Sequence, residues 1–501
     1  MSLTKKLFTG SALQTLNLLF DIAIGFVMMP FLITNLGESW YGLWLLVGSI
    51  IGFLAILTLG LSSAVQRYLS IENEPDKYKE YNQTLNSSLA VFIIASLLAI
   101  VIASVIALLP SLFISDVTLI ESFKYLVLLM GVNIAVSFIS SPFRAILATD
   151  YKFSLISVVE LITILSKAGL SFLFIIMDYS VVALGVATLI GNALGKGILI
   201  IYAIKLTEKF RFSMAFVTKD KLLTLFKYSS KTMLAWLGDV LRFSVDNIVI
   251  TAFVGLSSVT IYNLPLRLYN YASQFIITSL GVLQPFFSQK AGEKDDHAIR
   301  HKFELACGVA FALGAILSAG LFVFGYEFIS LWVGEYEEIK TLIYIFPAMI
   351  LLATSQNPCI LILYSHNKHE YYAYQNIAEG VLNAIISVIA VQYIGVIGVA
   401  LGSLIPMLIT KIYFQPRLTC QLIGFSLTNY YKQMFICYVF VFIATLIGTY
   451  LKTDIQTWFD LVINITVFCL FFVPAYWFIT LNKTTKLFFM SKLHFQKSLD
   501  K

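Results

Sequence analysis

KTMLAWLGDVLRFSVD, residues Lys231 to Asp246, runs straight on into the apolar NIVITAF that ends at Phe253. At about 100° per residue, Lys231, Asp239, Arg242 and Asp246 fall within roughly 80° of helix circumference. A helix of membrane length thus carries a narrow stripe of charge. A charge in hydrocarbon costs at least a few kcal/mol, so it persists only against another charge, water or a polar ligand. Arg242 has Asp239 three residues before it and Asp246 four after it, within pairing distance on one helix face. Two readings fit: a self-neutralised clasp between helices, or one wall of a polar transport cavity.

The rest of the chain has the composition of a membrane protein. Hydrophobic residues make up 59% and charged residues 12%, against about a quarter charged in soluble domains. Mean hydropathy is +0.85. Apolar segments run near 11–34, 41–63, 85–109, 118–140, 154–177 and 180–204. A second set runs near 227–253, 258–287, 304–326, 340–362, 371–393, 395–415, 430–450 and 456–481. At about 20 residues per crossing, these make about fourteen transmembrane helices in an all-α integral membrane fold. Lys5 and Lys6 precede an apolar run too long for a signal peptide, with no small-residue cleavage site after it, so it reads as a retained first helix. The five cysteines show no metal-ligand spacing and no disulfide framework, and read as packing residues.

An even number of crossings puts both termini on one side, and Lys and Arg choose it. The N-terminus, alternate loops and tail collect most of the cations, among them Lys5, Lys6, Arg144, Lys219, Lys411 and Lys501. The other side shows only Lys124, Lys340 and Lys452. Both termini are therefore expected in the cytoplasm. The net charge of +6 is a topology signal rather than a nucleic-acid footprint. The basic loop from Lys205 to Lys227 interleaves Phe210, Phe212, Met214 and Phe216, as an interfacial segment joining two halves would. Loops on the other side are short, the longest lying around Glu327–Lys340. They leave no room for the outer domain of a membrane glycan enzyme, so no enzyme, catalytic residue, metal or cofactor is expected.

The halves repeat each other in order. Asp21 lies sixteen residues before Gly37, and Asp239 lies sixteen before Gly255. TDYK at 149–152 precedes Glu160 and then GVA at 185–187; HNK at 366–368 precedes Glu379 and then GVA at 398–400. Six crossings separate the copies, so the halves share an orientation and relate by a pseudo-two-fold axis along the membrane normal. The expected organisation is a six-helix lobe at 1–204, a cytoplasmic linker at 205–226, a second six-helix lobe at 227–415, and two further helices with a basic tail at 416–501. Substrate would pass between the lobes. Gly191-xxx-Gly195 and Gly398-xxx-Gly402 permit close helix packing.

GESWYGLW at 37–44, and RFSVDNIVITAFVG at 242–255 followed by YNLPLRL at 262–268, resemble the polysaccharide flippases of the MATE/MOP exporter superfamily, and among them the Wzx-type O-antigen flippases. The resemblance implies alternating access in a bacterial cytoplasmic (inner) membrane. It implies a substrate made of an oligosaccharide, such as the O-antigen repeat of lipopolysaccharide, on undecaprenyl diphosphate, moved from the inner to the outer leaflet. It also implies glycosyltransferase or polysaccharide polymerase neighbours. The drug-exporting branch often carries an acid in its first helix, as Asp21 would be, so an ion-coupled multidrug or small-molecule exporter of the same fold is the alternative.

A lipid diphosphate carries two or more negative charges and calls for cations, preferably Arg with its forked donors. The apolar segments hold Lys167, Lys196, Lys231, Arg242 and Arg267 as candidate substrate contacts. Arg242, Arg267 and Lys167 are placed best. Lys196 and Lys231 lie nearer the cytoplasmic end, where snorkelling is the other reading. Arg267 reads equally as an interface anchor. Asp21, Glu160, Asp239, Asp246 and Glu379 are counterions, or groups coupling transport to protons or sodium.

Overall fold

The computed structural model describes residues 3–58, 60–207, 210–481 and 485–486; the side chains of residues 3–8, 10, 11, 75, 231, 232, 234–236, 239, 242 and 243 lie outside that description. The described residues are helices and connections with no β-strand. In lipid every backbone N–H and C=O has to be satisfied within the segment, and an apolar sequence of this length can do that only as a helix. Eleven helical stretches among the described residues are long and apolar enough to cross a membrane. The chain is an all-α integral membrane protein, and it divides into two compact units, Met1–Thr260 and Ile261–Lys501.

The first unit holds α1 (Leu3–Leu36), α2 (Glu38–Leu54), α3 (Leu61–Ile71), α4 (Tyr78–Leu108), α5 (Ile120–Thr149), α6 (Phe153–Ile176), α7 (Val182–Leu206) and α8 (Lys219–Phe253). It also takes the first turn of α9 (Leu256–Gly281). The stretch that opened the sequence reading is continuous helix in α8, although only Ser244–Phe253 of it is apolar enough to count as a short membrane segment. Gly37, at φ 87°, takes the left-handed turn that lets α2 start one residue after α1 ends. Small residues set the helix spacing. A Cβ on Gly195 of α7 would lie 1.8 Å from Thr163 Oγ1 of α6, so the two backbones approach as the Gly-xxx-Gly spacing anticipated. Asn247 of α8 donates to Ser49 Oγ of α2 at 2.9 Å.

The basic loop between α7 and α8 is held on the N-terminal end of α4. Asn82 Oδ1 accepts from the Arg211 N–H at 2.8 Å. Asn86 donates to the Arg211 carbonyl at 2.9 Å and accepts from the Ser213 N–H at 3.0 Å. Phe210 packs edge-on against Phe143 and Phe216 against Tyr78. Phe212 and Met214 stay exposed. Beyond the loop, Lys221 pairs with buried Glu72, which also accepts from Thr84 Oγ1 at 2.6 Å.

The second unit holds the rest of α9, then α10 (Gln284–Gly292), α11 (Asp296–Trp332), α12 (Ile339–Ser365), α13 (His369–Met407), α14 (Gln415–Ile423), α15 (Leu427–Leu451) and α16 (Trp458–Ile479). Within α13 the helix breaks at Ile394 (φ −130°) and Gly395 (φ 59°). The two arms then pack against each other. A Cβ on Gly398 would lie 2.5 Å from the carbonyl carbon of Ala390, and one on Gly402 would lie 2.1 Å from Ser387 Oγ. This is the close pair with almost no loop seen at 371–393 and 395–415 in the sequence. A π-helical turn, Leu408–Phe414, carries the second arm on into α14. Cys307, Cys359, Cys420 and Cys437 are buried in the core of this unit with Phe303, Phe311 and Tyr430, acting as small apolar residues.

Candidate functional site

Membrane-crossing helices of the first unit bring five charged side chains together. The site begins where α6 meets α7. A Cβ on Gly191 would fall 2.7 Å from Lys167 Cγ, so the lysine stem lies along the glycine backbone. Lys167 is in electrostatic contact with Lys196 of α7 and Asp21 of α1. Lys196 is in turn in electrostatic contact with Arg144 of α5 and Glu160 of α6. Arg144 closes the group with an ion pair to Glu160 at 2.9 Å. Three cations face two acids, leaving one positive charge in excess (3 − 2 = +1).

Buried polar contacts hold the helices that carry these groups. Asn192 of α7 donates to Asn133 Oδ1 of α5 at 2.5 Å. Asn17 of α1 donates to the Ser157 carbonyl of α6 at 2.8 Å. Each buried amide left without a partner would cost about 1–3 kcal/mol, so these bonds fix which helix faces meet. Asp21 and Arg144 are exposed; Glu160, Lys167 and Lys196 are partly so. Cations in such a place suit a phosphate or other anion, and Glu160 orients Arg144 through their ion pair.

Asp246 is buried on α8, 3% exposed. The side chains of Lys231, Asp239 and Arg242 lie outside the described residues. Arg267, on the α9 portion in the second unit, is exposed, with its guanidinium 5.5 Å from the centre of the Tyr271 ring one turn on. Glu379 is buried in α13 and paired with Lys411 at 3.2 Å, the two side chains 2% and 4% exposed. Thr410 also donates to Glu379, and Gln356 donates to the Lys411 carbonyl at 2.7 Å. Among the described residues no three His, Cys, Asp or Glu side chains could hold a metal ion.

Two of these charges were read differently from sequence. Arg144 and Lys411 were counted with the loop cations, and both sit inside helices. The apolar segment read near 118–140 stops short of Arg144, whereas α5 runs on through Pro142 to Thr149. Lys411 lies inside the apolar segment read near 395–415, and the π-helical turn keeps the chain helical there. The signal was present: Arg144 is followed by the apolar Ala145-Ile146-Leu147, and Lys411 sits inside Leu408–Phe414.

The second unit also has an apolar groove of about 450 Å³ between α15 and α16, lined by Phe435, Val439, Ile443, Phe468 and Phe471, with Lys452 among its lining residues. Lys452 pairs with Glu327 of α11.

Comparison with known proteins adds to this geometry. A family profile described as "Polysaccharide biosynthesis protein" matches residues 9–291. The "Uncharacterized membrane protein EpsK" of Bacillus subtilis (strain 168) is 20% identical over 425 residues, covering 81% of this chain and 82% of that protein. A multidrug resistance MATE family transporter of the MOP superfamily, in its inward-facing conformation, superposes with TM-score 0.71 at 14% identity, over 82% of this chain and 96% of its own. The lipid II flippase MurJ, in an inward closed conformation, superposes with TM-score 0.70 at 17% identity, over 92% of this chain and 98% of its own. The fold is the one these transporters share.

Proposed function

Because the chain belongs to the family of polysaccharide biosynthesis proteins, we propose that it is a flippase for a sugar-bearing lipid diphosphate. Its substrate would be an undecaprenyl-diphosphate-linked oligosaccharide, such as an O-antigen repeat, carried from the inner to the outer leaflet of a bacterial cytoplasmic membrane by alternating access. The observation that carries this reading is the excess of positive charge on α5, α6 and α7, where Lys196 lies within electrostatic range of both Arg144 and Lys167. A diphosphate brings at least two negative charges into a region where water is scarce, and fixed cations replace its hydration.

In this account Arg242, Arg267 and Lys231 are further contacts for the head group, with Asp239 and Asp246 orienting Arg242. The segments 1–204 and 227–415 act as the two lobes, joined through 205–226, with both termini in the cytoplasm. The fold likeness to a multidrug exporter and the exposed Asp21 on α1 favour one other reading, a small-molecule exporter coupled to protons or sodium. Gene deletion separates the two. A flippase defect leaves lipid-linked oligosaccharide inside the cell and depletes surface glycan; an exporter defect changes neither. Complementation with Lys167→Ala/Lys196→Ala should restore surface glycan at least about tenfold less well than wild type, the factor for each 1.4 kcal/mol of lost contact. Full restoration at equal membrane protein level contradicts the role given to the cluster.

A further inference from the structure

The first unit has a concave site that shares no residue with the charged cluster, at the other end of α7 from the 210–218 loop. It is a recess of about 200 Å³ between the α1–α2 turn and the α6–α7 turn, lined by Asn35, Trp40, Asp178, Tyr179 and Ser180. Its chemistry is unlike that of the charged cluster. No Lys or Arg lines it, and a carboxylate does. Among the described residues, the Asp178 carboxylate, the Trp40 indole N–H and the Tyr179 and Ser180 hydroxyls make no side-chain hydrogen bond within the protein. Asn35 spends its N–H on the Phe31 carbonyl at 2.7 Å, which leaves its carbonyl oxygen to accept.

The backbone holds these groups in place. Asp178, at φ 60°, closes α6 in the left-handed position that glycine more often fills. The Tyr179 N–H returns to the Phe174 carbonyl at 3.1 Å, and the Tyr179 ring packs edge-on to Phe174. A side chain other than glycine is unusual at such a position, and here it adds a carboxylate to the lining. Several hydrogen-bonding groups of both polarities thus meet two aromatic rings in a space the size of one hexose ring. A sugar presents a ring of hydroxyls for the carboxylate, amide and hydroxyls, and a C–H face for an aromatic ring to cover. A phosphate would meet a negative charge there.

We propose that this recess is a saccharide subsite, which takes one neutral or amino sugar ring with Trp40 against its C–H face and Asp178 accepting from its hydroxyls. The choice of a sugar among hydroxylated ligands rests on the flippase reading. If α7 crosses the membrane as the cation asymmetry implies, the subsite lies on the outer side, where the sugar portion of the substrate emerges.

Direct binding tests this without transport. The purified full-length protein in lipid nanodiscs is mixed with glucose, galactose, rhamnose and N-acetylglucosamine, and saturation-transfer NMR reads which receive magnetisation. At least one sugar should, and the signal should fall about fivefold or more in both Trp40→Ala and Asp178→Ala, the factor for a contact of roughly 1 kcal/mol. Trp40→Phe should keep most of it, and all three variants should melt with the wild type. Transfer to none of the four sugars, or transfer that both alanine variants leave unchanged, overturns the subsite and leaves Trp40 and Tyr179 as interface aromatics. Failure of the flippase reading looks different: sugars bind while lipid-linked oligosaccharide is not moved.

Discussion

The ion pair of Glu379 and Lys411 shows what a charge inside this protein costs. Both side chains are at most 4% exposed, and each offsets the other's burial, with Thr410 adding a hydrogen bond to Glu379. Replacing one partner strands the other, at about 3–5 kcal/mol. Lys411→Met should therefore lower the melting temperature in detergent markedly, while Lys411→Met with Glu379→Gln should recover most of it. A single variant as stable as the wild type would contradict the pairing. At this scale the sequence was partly legible. An acid or base inside an apolar run announces itself, as Lys167, Lys196, Glu160 and Glu379 did. Arg144 and Lys411 were counted with the cations of the cytoplasmic side, because each lies beyond or near the end of its apolar segment. Helices in lipid run on through such positions, because neighbouring groups satisfy the few backbone atoms a proline frees and no water is there to do so.

Helices and loops are arranged by contacts that differ in how local they are. The packing of α6 on α7 and the hairpin within α13 rest on Gly191, Gly195, Gly398 and Gly402, whose spacing is visible in the sequence. Gly195→Leu would drive a side chain into Thr163, which already stands 1.8 Å from the position of a Cβ. The expected outcome is loss of folded, monodisperse protein on size-exclusion chromatography, with Gly197→Leu, which meets nothing within 4 Å, as the tolerated control. The seat of the 210–218 loop could not be read in advance. It depends on Asn82 and Asn86 of α4, more than a hundred residues away in the chain. Asn82→Ala with Asn86→Ala removes three hydrogen bonds to the loop backbone, each worth about 1 kcal/mol. Tryptic cleavage after Arg211 should then speed up at least about tenfold if local opening controls it. An unchanged rate would mean that Phe210 and Phe216 hold the loop without the amides.

At the scale of the whole molecule, the membrane fold was the most legible property, because composition and segment length leave little else for such a chain to be. The charged stripe on α8 draws attention to Arg242, whose side chain lies outside the described residues; the cluster that the described side chains assemble lies on α1, α5, α6 and α7, and most of its residues are far apart in sequence. Orientation has a simple check in a cysteine-free background: Asp178→Cys should react with an impermeant maleimide in intact cells and Lys219→Cys should not, and the reverse pattern would invert the topology. The central claim is that the chain moves a sugar-bearing lipid diphosphate across the bilayer with the help of the cations on α6 and α7. It is tested most directly by reconstituting the purified protein in liposomes with a fluorescent undecaprenyl-diphosphate disaccharide and following access of a membrane-impermeant quencher. Wild-type protein should equilibrate the label between leaflets and Lys167→Ala/Lys196→Ala should not; a rate no faster than in protein-free liposomes, or equal rates for the two proteins, would contradict the account.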